Sequence, residues 1–327
     1  MASIRYRNGK YQVRILRKGF PQLTRSFQKK QDAERWARTT EAEIDTGCFA
    51  NPTLANKTTF KEIIERYMNE VAPSLRGAKE DLIRLNAIAR RPIAQYSMQQ
   101  LTPQKIGEYR DERLKEVSAG TLIREFAYFS SIINHARREW GINIANPMTL
   151  VRKPSTPQGR NRILHDDEKV RLFKELKPIN RRSIWMLPLV QFALETGMRK
   201  GEMLTLIWSN VDVHRQIAFL PLTKNGECRV VPLSKNAVEI LNSLPRLDDE
   251  RVFPINSAAV SANFAKARER ANLNDFHFHD LRHTAITALA KKLPNVLELA
   301  SVTGHKQIRM LARYHHPNAE ELAKKLG

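Results

Sequence analysis

Residues His277 to His316 read HFHDLRHTAITALAKKLPNVLELASVTGHKQIRMLARYHH, and the rest of the chain makes sense outward from this stretch. It holds a His-x-x-Arg pair (His279, Arg282), a Gly-His step (Gly304, His305) and, nine residues later, Tyr314. Two upstream residues complete the set: Arg199 in TGMRKGE, and Lys224 in TKNG between two short β-type runs. Two arginines, two histidines, a lysine and a tyrosine make a poor metal site and a good phosphodiester site. Guanidinium forks clamp a phosphate bidentately. Imidazoles move or donate protons near neutrality, and a phenol oxygen can act as a nucleophile.

The bulk composition points the same way. With 327 residues the chain is long enough for two or three domains, each with its own core. A formal net charge of +21 and a pI near 10.2 imply a polyanion partner, because an excess this large repels itself without a counter-charge. Cys48 and Cys228 are too few and too scattered for a disulfide framework or a zinc knuckle, which fits a reducing cytoplasm. Met1 leads straight into Arg5, Arg7 and Lys10, which does not read as a secretory leader. The longest apolar run, Trp185 to Leu194, is interrupted by Pro188 and Gln191 and is too short to span a bilayer.

Residues 1–50 read as a three-stranded sheet with a closing helix. Ile4 to Arg7, Tyr11 to Leu16 and Leu23 to Phe27 alternate apolar with polar, and Asn8-Gly9 is a strong hairpin turn. Lys18-Gly19 supplies a second turn, and Gln31 to Ile44 has helical spacing through Ala33, Trp36, Ala37 and Ile44. Arg5, Arg7, Arg14, Arg17 and Arg25 are expected to stud the sheet. A charged sheet face is usually just solvated, but one this rich in Arg and Lys favours nucleic acid. Thr46 to Thr58, with Gly47, Asn51, Pro52 and Asn56, reads as a linker.

Residues 59–150 read as a helical domain. Thr59 caps a helix carrying Phe60, Ile63, Ile64, Tyr67 and Met68. Leu82 to Ile88, Ile106 to Leu114 behind Thr102-Pro103, and Thr121 to Trp140 give three more. Leu122, Phe126, Phe129, Ile132, Ile133 and Ala136 share one side of the last, as core rather than as base-stacking residues. Lys79, Arg84, Arg90, Arg91, Arg124, Arg137 and Arg138 lie on opposite faces, where phosphate contact is expected. Ala145-Asn146-Pro147 ends the domain. Lys153 to Arg162, with two prolines, a glycine, Arg160 and Arg162, reads as an extended basic linker.

Residues 164–327 form the last domain. Asp166 and Glu168 open a helix to Leu176, and Ile184 to Thr196 is an apolar helix that must be buried, with Gly197 as its C-cap. Arg199 then sits in a short loop between helices, free to face a ligand or to pair with Glu202. Gln216 to Leu220 and Arg229 to Leu233 pair as a hairpin with Lys224 at its tip. His279 and His283, four apart, also have the ligand spacing of zinc hydrolases. Against that reading, Asp280 replaces the usual glutamate, Arg282 adds a fixed positive charge, and no acidic third ligand follows. His283 is expected to pack and hydrogen-bond instead.

Six positions in order, from Arg199 to Tyr314, resemble the tyrosine recombinases, the phage-type integrase family. The resemblance implies a multidomain, mainly α protein with small β elements. An N-terminal sheet like the arm-binding domains of phage integrases would precede a helical core-binding domain and a mixed α/β catalytic domain, the last two closing around duplex DNA. It implies that Arg199 and Arg282 hold the non-bridging oxygens of one phosphate while Tyr314 attacks, with His279 as base. Lys224, entering the minor groove, protonates the 5′ oxygen and His305 donates a hydrogen bond. The product is a 3′-phosphotyrosyl bond, so no ATP, cofactor or metal is needed. Thr303 stands where the family usually has leucine before Gly-His, and His316 matches a histidine often found two after the tyrosine.

The implied partners are double-stranded DNA with specific recombination sites, further copies in a synaptic tetramer, and DNA-bending or directionality accessory proteins; no membrane is implied. In the tail, Pro317-Asn318 interrupts the helix and Ala319 to Leu326 gives a short amphipathic one, with Leu322, Ala323 and Leu326 as its stripe, suited to docking on a neighbour. Residues 120–316, including HARREWG and ALETGMRKGE, also look like shufflon-type DNA invertases. The alternative outside enzymology is a DNA-binding regulator that shares the fold and does not cut, although a binder needs no nucleophile.

Overall fold

The computed structural model describes residues 2–18, 20, 22–45, 52–75, 77–142, 144–156, 159–179, 182–221, 228–314, 323 and 326. Two compact units divide between residues 158 and 159.

The first unit opens with β1 (Ala2–Arg7), β2 (Lys10–Ile15) and β3 (Leu23–Phe27), an antiparallel sheet in that order, followed by α1 (Lys30–Asp45). Asn8 and Gly9 both take left-handed angles, φ 49° and 73°, as a two-residue hairpin with the native strand twist requires. Register then sorts the side chains. Ala2, Ile4 and Tyr6 oppose Ile15, Val13 and Tyr11, and α1 buries Ala33, Ala37 and Ile44 over this apolar face. Ser3, Arg5 and Arg7 oppose Arg14, Gln12 and Lys10 on the other, exposed face.

Arg25 is not on that face. It opposes Val13, so it turns toward the helix, its guanidinium 5.4 Å from the Phe27 ring and 6.0 Å from Trp36. Arg17 lies past the end of β2 and pairs with Asp45 of α1 at 2.9 Å. The second turn falls partly outside the described residues.

The expected linker is not all linker: α2 (Pro52–Lys57) lies within it, with Ala55 buried. Proline at the first helical position starts a helix as readily as it breaks one. Then come α3 (Phe60–Glu70), α4 (Ala78–Ala89), α5 (Pro103–Arg113) and α6 (Ala119–Glu139). Thr59 caps α3 through a reciprocal pair: its hydroxyl accepts from the Glu62 amide at 3.2 Å, and its own amide donates to the Glu62 carboxylate at 2.7 Å. The aromatic face of α6 is core, with Phe60 edge-on to Phe129 at 4.9 Å. One polar residue interrupts it: Glu125, buried, accepts from the Tyr109 hydroxyl at 2.6 Å and from Arg113 at 2.7 Å.

The second unit runs α7 (Asp166–Leu176), α8 (Met186–Thr196) and α9 (Lys200–Leu204). A small antiparallel sheet follows, β4 (Val211–Asp212), β5 (Ile217–Leu220) and β6 (Arg229–Pro232). Next come α10 (Lys235–Ser243), α11 (Ser257–Arg270), α12 (Asp280–Lys292) and α13 (Val296–Thr303). Its core gathers Leu189, Val190, Phe192, Phe253, Phe276 and Leu281. α8 begins two residues later than expected, leaving Ile184 exposed; Pro188 falls in its first turn, where no backbone donor is needed. Gln216, at φ 56°, belongs to the turn before β5 rather than to the strand, and β4 is a third strand the sequence pattern did not signal. Among the described residues, no helix is long and apolar enough to cross a membrane.

Candidate active site

Two glycines set the frame. Gly197 ends α8 and Gly304 ends α13, both left-handed at φ 61° and 68°. A Cβ on Gly304 would lie 2.9 Å from the Arg229 guanidinium, and one on Gly197 would press against Ala285 of α12 at 3.5 Å. The end of α8 thus packs on α12 and the end of α13 leaves room for Arg229, and the carbonyls these ends bring are orphan acceptors at the negative poles of their helices.

Arg282 of α12 takes both. Only 4% exposed, it donates to the Gly197 carbonyl at 2.5 Å and to the Thr303 carbonyl at 2.7 Å. Burial, and next the nearby Arg199, push its pKa down to about 10, which leaves it charged at neutral pH. Arg199 follows the Gly197 cap and reaches the other end, donating to the Gly304 carbonyl at 3.3 Å and to Glu202 at 2.7 Å. The ion pair with Glu202 and a place in the site are thus not alternatives.

Glu202 also receives Arg229 at 2.8 Å. Burial raises its pKa, but Arg229 and then the Arg199 amide and guanidinium outweigh that and hold it below the ordinary carboxylate value. Arg229, named from the sequence only as the start of a strand, is a member of the site. It donates to the Val302 carbonyl at 2.5 Å, and burial depresses its pKa. The sequence does carry a signal for it: alternation with buried Val231 along β6 puts an arginine on the inward face.

His305 meets the Thr303 hydroxyl through Nδ1 at 2.7 Å. That hydroxyl spends its one hydrogen on the Leu299 carbonyl at 2.6 Å, so Nδ1 carries the imidazole hydrogen and Nε2 holds a lone pair. Burial, then Arg282, Arg199 and Arg229, push the His305 pKa down to about 4. The ring is neutral at pH 7.

Tyr314 closes a short 3-10 turn, Ala312–Tyr314, that follows a second one, Ile308–Met310. The segment is pinned by Leu311, fully buried with Ile286, Ala290 and Leu299, and the tyrosine packs against the same cluster. The family resemblance implies that His279 is the base for Tyr314. The hydroxyl instead hydrogen-bonds Nδ1 of His283, one turn further along α12. His279 stands exposed at the start of the helix, its ring edge-on to His283 at 5.4 Å. Burial raises the Tyr314 pKa against the opposing pull of Arg313 and Arg282, so the phenol keeps its proton. Burial, then His279 and Arg313, depress the His283 pKa, so the neutral ring accepts the phenol's hydrogen.

Asp280 follows His279 in the chain, and its carboxylate is held by Arg160 and the His277 amide. The residue is 1% exposed, accepts from Arg160 at 3.0 and 3.2 Å, and accepts from the His277 amide at 2.8 Å. Among the described residues, no three His, Cys, Asp or Glu side chains gather as a metal site. Arg160 and Arg162, expected as DNA contacts, pair here with Asp280 and Asp275, and with Glu168 and the Ile163 carbonyl.

In the first unit, Arg84 and Arg91 form exposed pairs with Asp81 and Glu116, while Lys79, Arg90 and Arg124 are exposed. Lys224, His316 and nearly all of the expected tail helix lie outside the described residues.

The model for the phage integrase family matches residues 162–321, and that for the phage integrase N-terminal domain matches residues 56–154. A shufflon-specific DNA recombinase of Escherichia coli is 37% identical over 83% of this chain and 72% of its own length. A putative integrase/recombinase of Haemophilus influenzae is 33% identical over 98% of this chain and 89% of its own.

The chain belongs to the phage integrase family.

As a member of it, the protein is a tyrosine site-specific recombinase. Among solved folds, a lambda integrase tetramer bound to a Holliday junction superposes with a TM-score of 0.67 at 20% identity, covering 96% of this chain and 94% of that one. The phage integrase family fold therefore extends over nearly the whole chain, N-terminal sheet included.

Proposed function

We propose that the protein cuts and rejoins DNA at specific recombination sites through Tyr314, as an integrase of a phage or integrative element. The observation that carries this reading is the meeting, at the rim of α12, of two fixed guanidinium groups and a protonated phenol. Arg282 and Arg199 clamp one phosphate and stabilise the charge of its five-coordinate transition state. Tyr314 attacks phosphorus, and the 5′ oxygen departs with a proton from Lys224. The 3′-phosphotyrosyl bond conserves the energy of the broken phosphodiester until a 5′ hydroxyl reverses the attack. His279, exposed at the start of α12, is within the set the resemblance assigns to this phosphate. His305 donates to it once it has gained a proton, which the charge of a bound phosphate favours.

In this reading residues 1–50 bind arm-type DNA through the Arg5, Arg7, Lys10 and Arg14 face, residues 59–150 embrace the core site, and residues 164–327 carry the chemistry, all in the cytoplasm. One neighbouring fold is a lambda integrase tetramer on a Holliday junction and another a lambda integrase dimer on a core site. A monomer that assembles to a tetramer on paired sites, with accessory proteins setting direction, follows from that likeness. The E. coli shufflon-specific recombinase supports inversion as the second reading. Inverted repeats in the flanking DNA would favour inversion, and an adjacent attachment site integration.

The test is a nicked suicide substrate in excess EDTA. Wild type should form a protein–DNA adduct that survives denaturant, and Tyr314→Phe should bind the same DNA and form none. An adduct from the phenylalanine variant would overturn the assignment of the nucleophile. Loss of the wild-type adduct in EDTA, restored by zinc, would revive the metal reading of His279 and His283.

A further inference from the structure

The attack by Tyr314 releases a proton, and the resident groups differ in their ability to receive it. His279 is exposed at the start of α12, its ring edge-on to His283 at 5.4 Å. His305 is held by Thr303 through Nδ1 and has a lone pair only at Nε2, which in the proposed mechanism serves the phosphate. Asp280 is buried under Arg160. Arg199, Arg229 and Arg282 are cations held on carbonyls and on Glu202. What touches the phenol oxygen is Nδ1 of His283, with the two rings inclined by 28° and their centroids 6.0 Å apart. Tyr314 itself packs on the cluster around Leu311, which holds the phenol against α12.

We propose that His283 is a catalytic residue of strand cleavage, the group that takes the proton of Tyr314 as the phenol attacks and returns it on rejoining. The inference rests on the reading of Tyr314 as nucleophile. The step balances: the O–H bond of Tyr314 breaks, its proton passes to Nδ1, and the freed oxygen pair forms the bond to phosphorus. The P–O5′ bond breaks with its pair going to the 5′ oxygen, which is protonated on the leaving side.

The groups facing His283 make the transfer depend on substrate. On α12 these are His279, Asp280 and Arg282; from the tyrosine segment they are Arg313 and Tyr314; His305 adds a neutral ring. Two arginines against one carboxylate, itself paired with Arg160, oppose a positive imidazole in the free protein. The negative charge of a clamped phosphate reverses the balance, raising the basicity of His283 only when DNA is in place. Until then the phenol stays protonated and inert.

The experiment follows adduct formation by the full chain on nicked DNA from about pH 6.5 to about pH 9, spanning His and Tyr ionisation. His283→Asn puts an acceptor oxygen close to where Nδ1 stands, so the hydrogen bond and fold are kept, but it holds no proton at these pH values. It should bind DNA as wild type does, cleave about a hundredfold more slowly, and gain about tenfold in rate per pH unit as the phenol must ionise unaided. Replacing the bridging 5′ oxygen by sulfur removes the need to protonate the leaving group. That substrate should rescue Lys224→Ala and not His283→Asn. A wild-type rate and flat profile in His283→Asn, or its rescue by sulfur, would overturn the proposal.

Should the variant unfold, wild type on the sulfur substrate decides. A plateau above neutrality supports the transfer, and a tenfold rise per unit continuing to about pH 9 contradicts it. An adduct from Tyr314→Phe would instead sink the nucleophile reading itself, which keeps the two failures apart.

Discussion

At the scale of single residues, the site is a set of cations whose acceptors are helix ends and one carboxylate. Gly304 shows how tightly they are fitted, since its φ of 68° strains any side chain and a Cβ there would lie 2.9 Å from the Arg229 guanidinium, which would have to move. Gly304→Ala should therefore lose about 1–3 kcal/mol of stability, read by chemical denaturation. It should also displace Arg229 and His305 and slow cleavage more than it weakens DNA binding. The histidines give a pH signature. The folded-state pKa of His305 is about 4, below the ordinary unfolded value of about 6.5, and that of His283 is also depressed. The unfolded chain then takes up protons first, so their contribution is complete above about pH 6.5 and is lost as pH falls toward 4. His305→Asn should flatten part of that acid limb in thermal melts; an unchanged limb would mean the ring is not neutral in the fold.

The types and order of Arg199, Lys224, His279, Arg282, His305 and Tyr314 pointed to phosphate chemistry, and the fold gathers Arg199, Arg282, His305 and Tyr314 around the ends of α8 and α13 and the face of α12. Arg229 and the Tyr314–His283 contact were not legible, because each depends on partners tens of residues distant, Val302 for one and α12 for the other.

At the scale of elements, the tyrosine is presented by a short 3-10 turn too brief to be stable alone, and Leu311 is its anchor. The anchoring cluster is separate from the main core of the second unit. Leu311→Ala, a change that costs about 2–5 kcal/mol in a packed site, should undock the turn rather than unfold the unit. Amide exchange of residues 308–314 should rise and adduct formation fall, while exchange in α8 stays slow. The helices α3, α5 and α6 could be read from Thr59, Thr102 and the aromatic stripe, since a cap and a 3.6-residue period are local facts. α2 was hidden behind Pro52, whose meaning depends on whether it sits first in a helix. The face of Arg25 was hidden too, because alternation fixes which residues share a face and only the pairing with Val13 says which face is buried. Replacing Thr59 by alanine tests the local reading, with an expected loss of about 1 kcal/mol.

At the scale of the whole molecule, the net charge of +21 separates into cations that face solvent and cations spent inside. Arg229 is of the second kind, paired with Glu202, while Arg160 and Arg162, nearer the surface, pair with Asp280 and Glu168. Arg5, Arg7, Lys10 and Arg14 are of the first, together on one sheet face. Arg5→Glu with Arg14→Glu should weaken binding to distant arm-type sites and reduce the salt slope by about 0.9 for each phosphate no longer neutralised, leaving cleavage at a core site intact. Arg25→Ala should leave that slope unchanged and destabilise the small sheet, because its guanidinium rests on Phe27 and Trp36.

The central claim is that one named oxygen carries the DNA between cutting and rejoining. It is tested by trapping the adduct on a suicide substrate, digesting it with nuclease and trypsin, and mapping the nucleotide by mass. The added mass should fall on the peptide Tyr314 to Lys324, attached to Tyr314. The same mass on any other peptide, or a trapped adduct with Tyr314 unmodified, would contradict it.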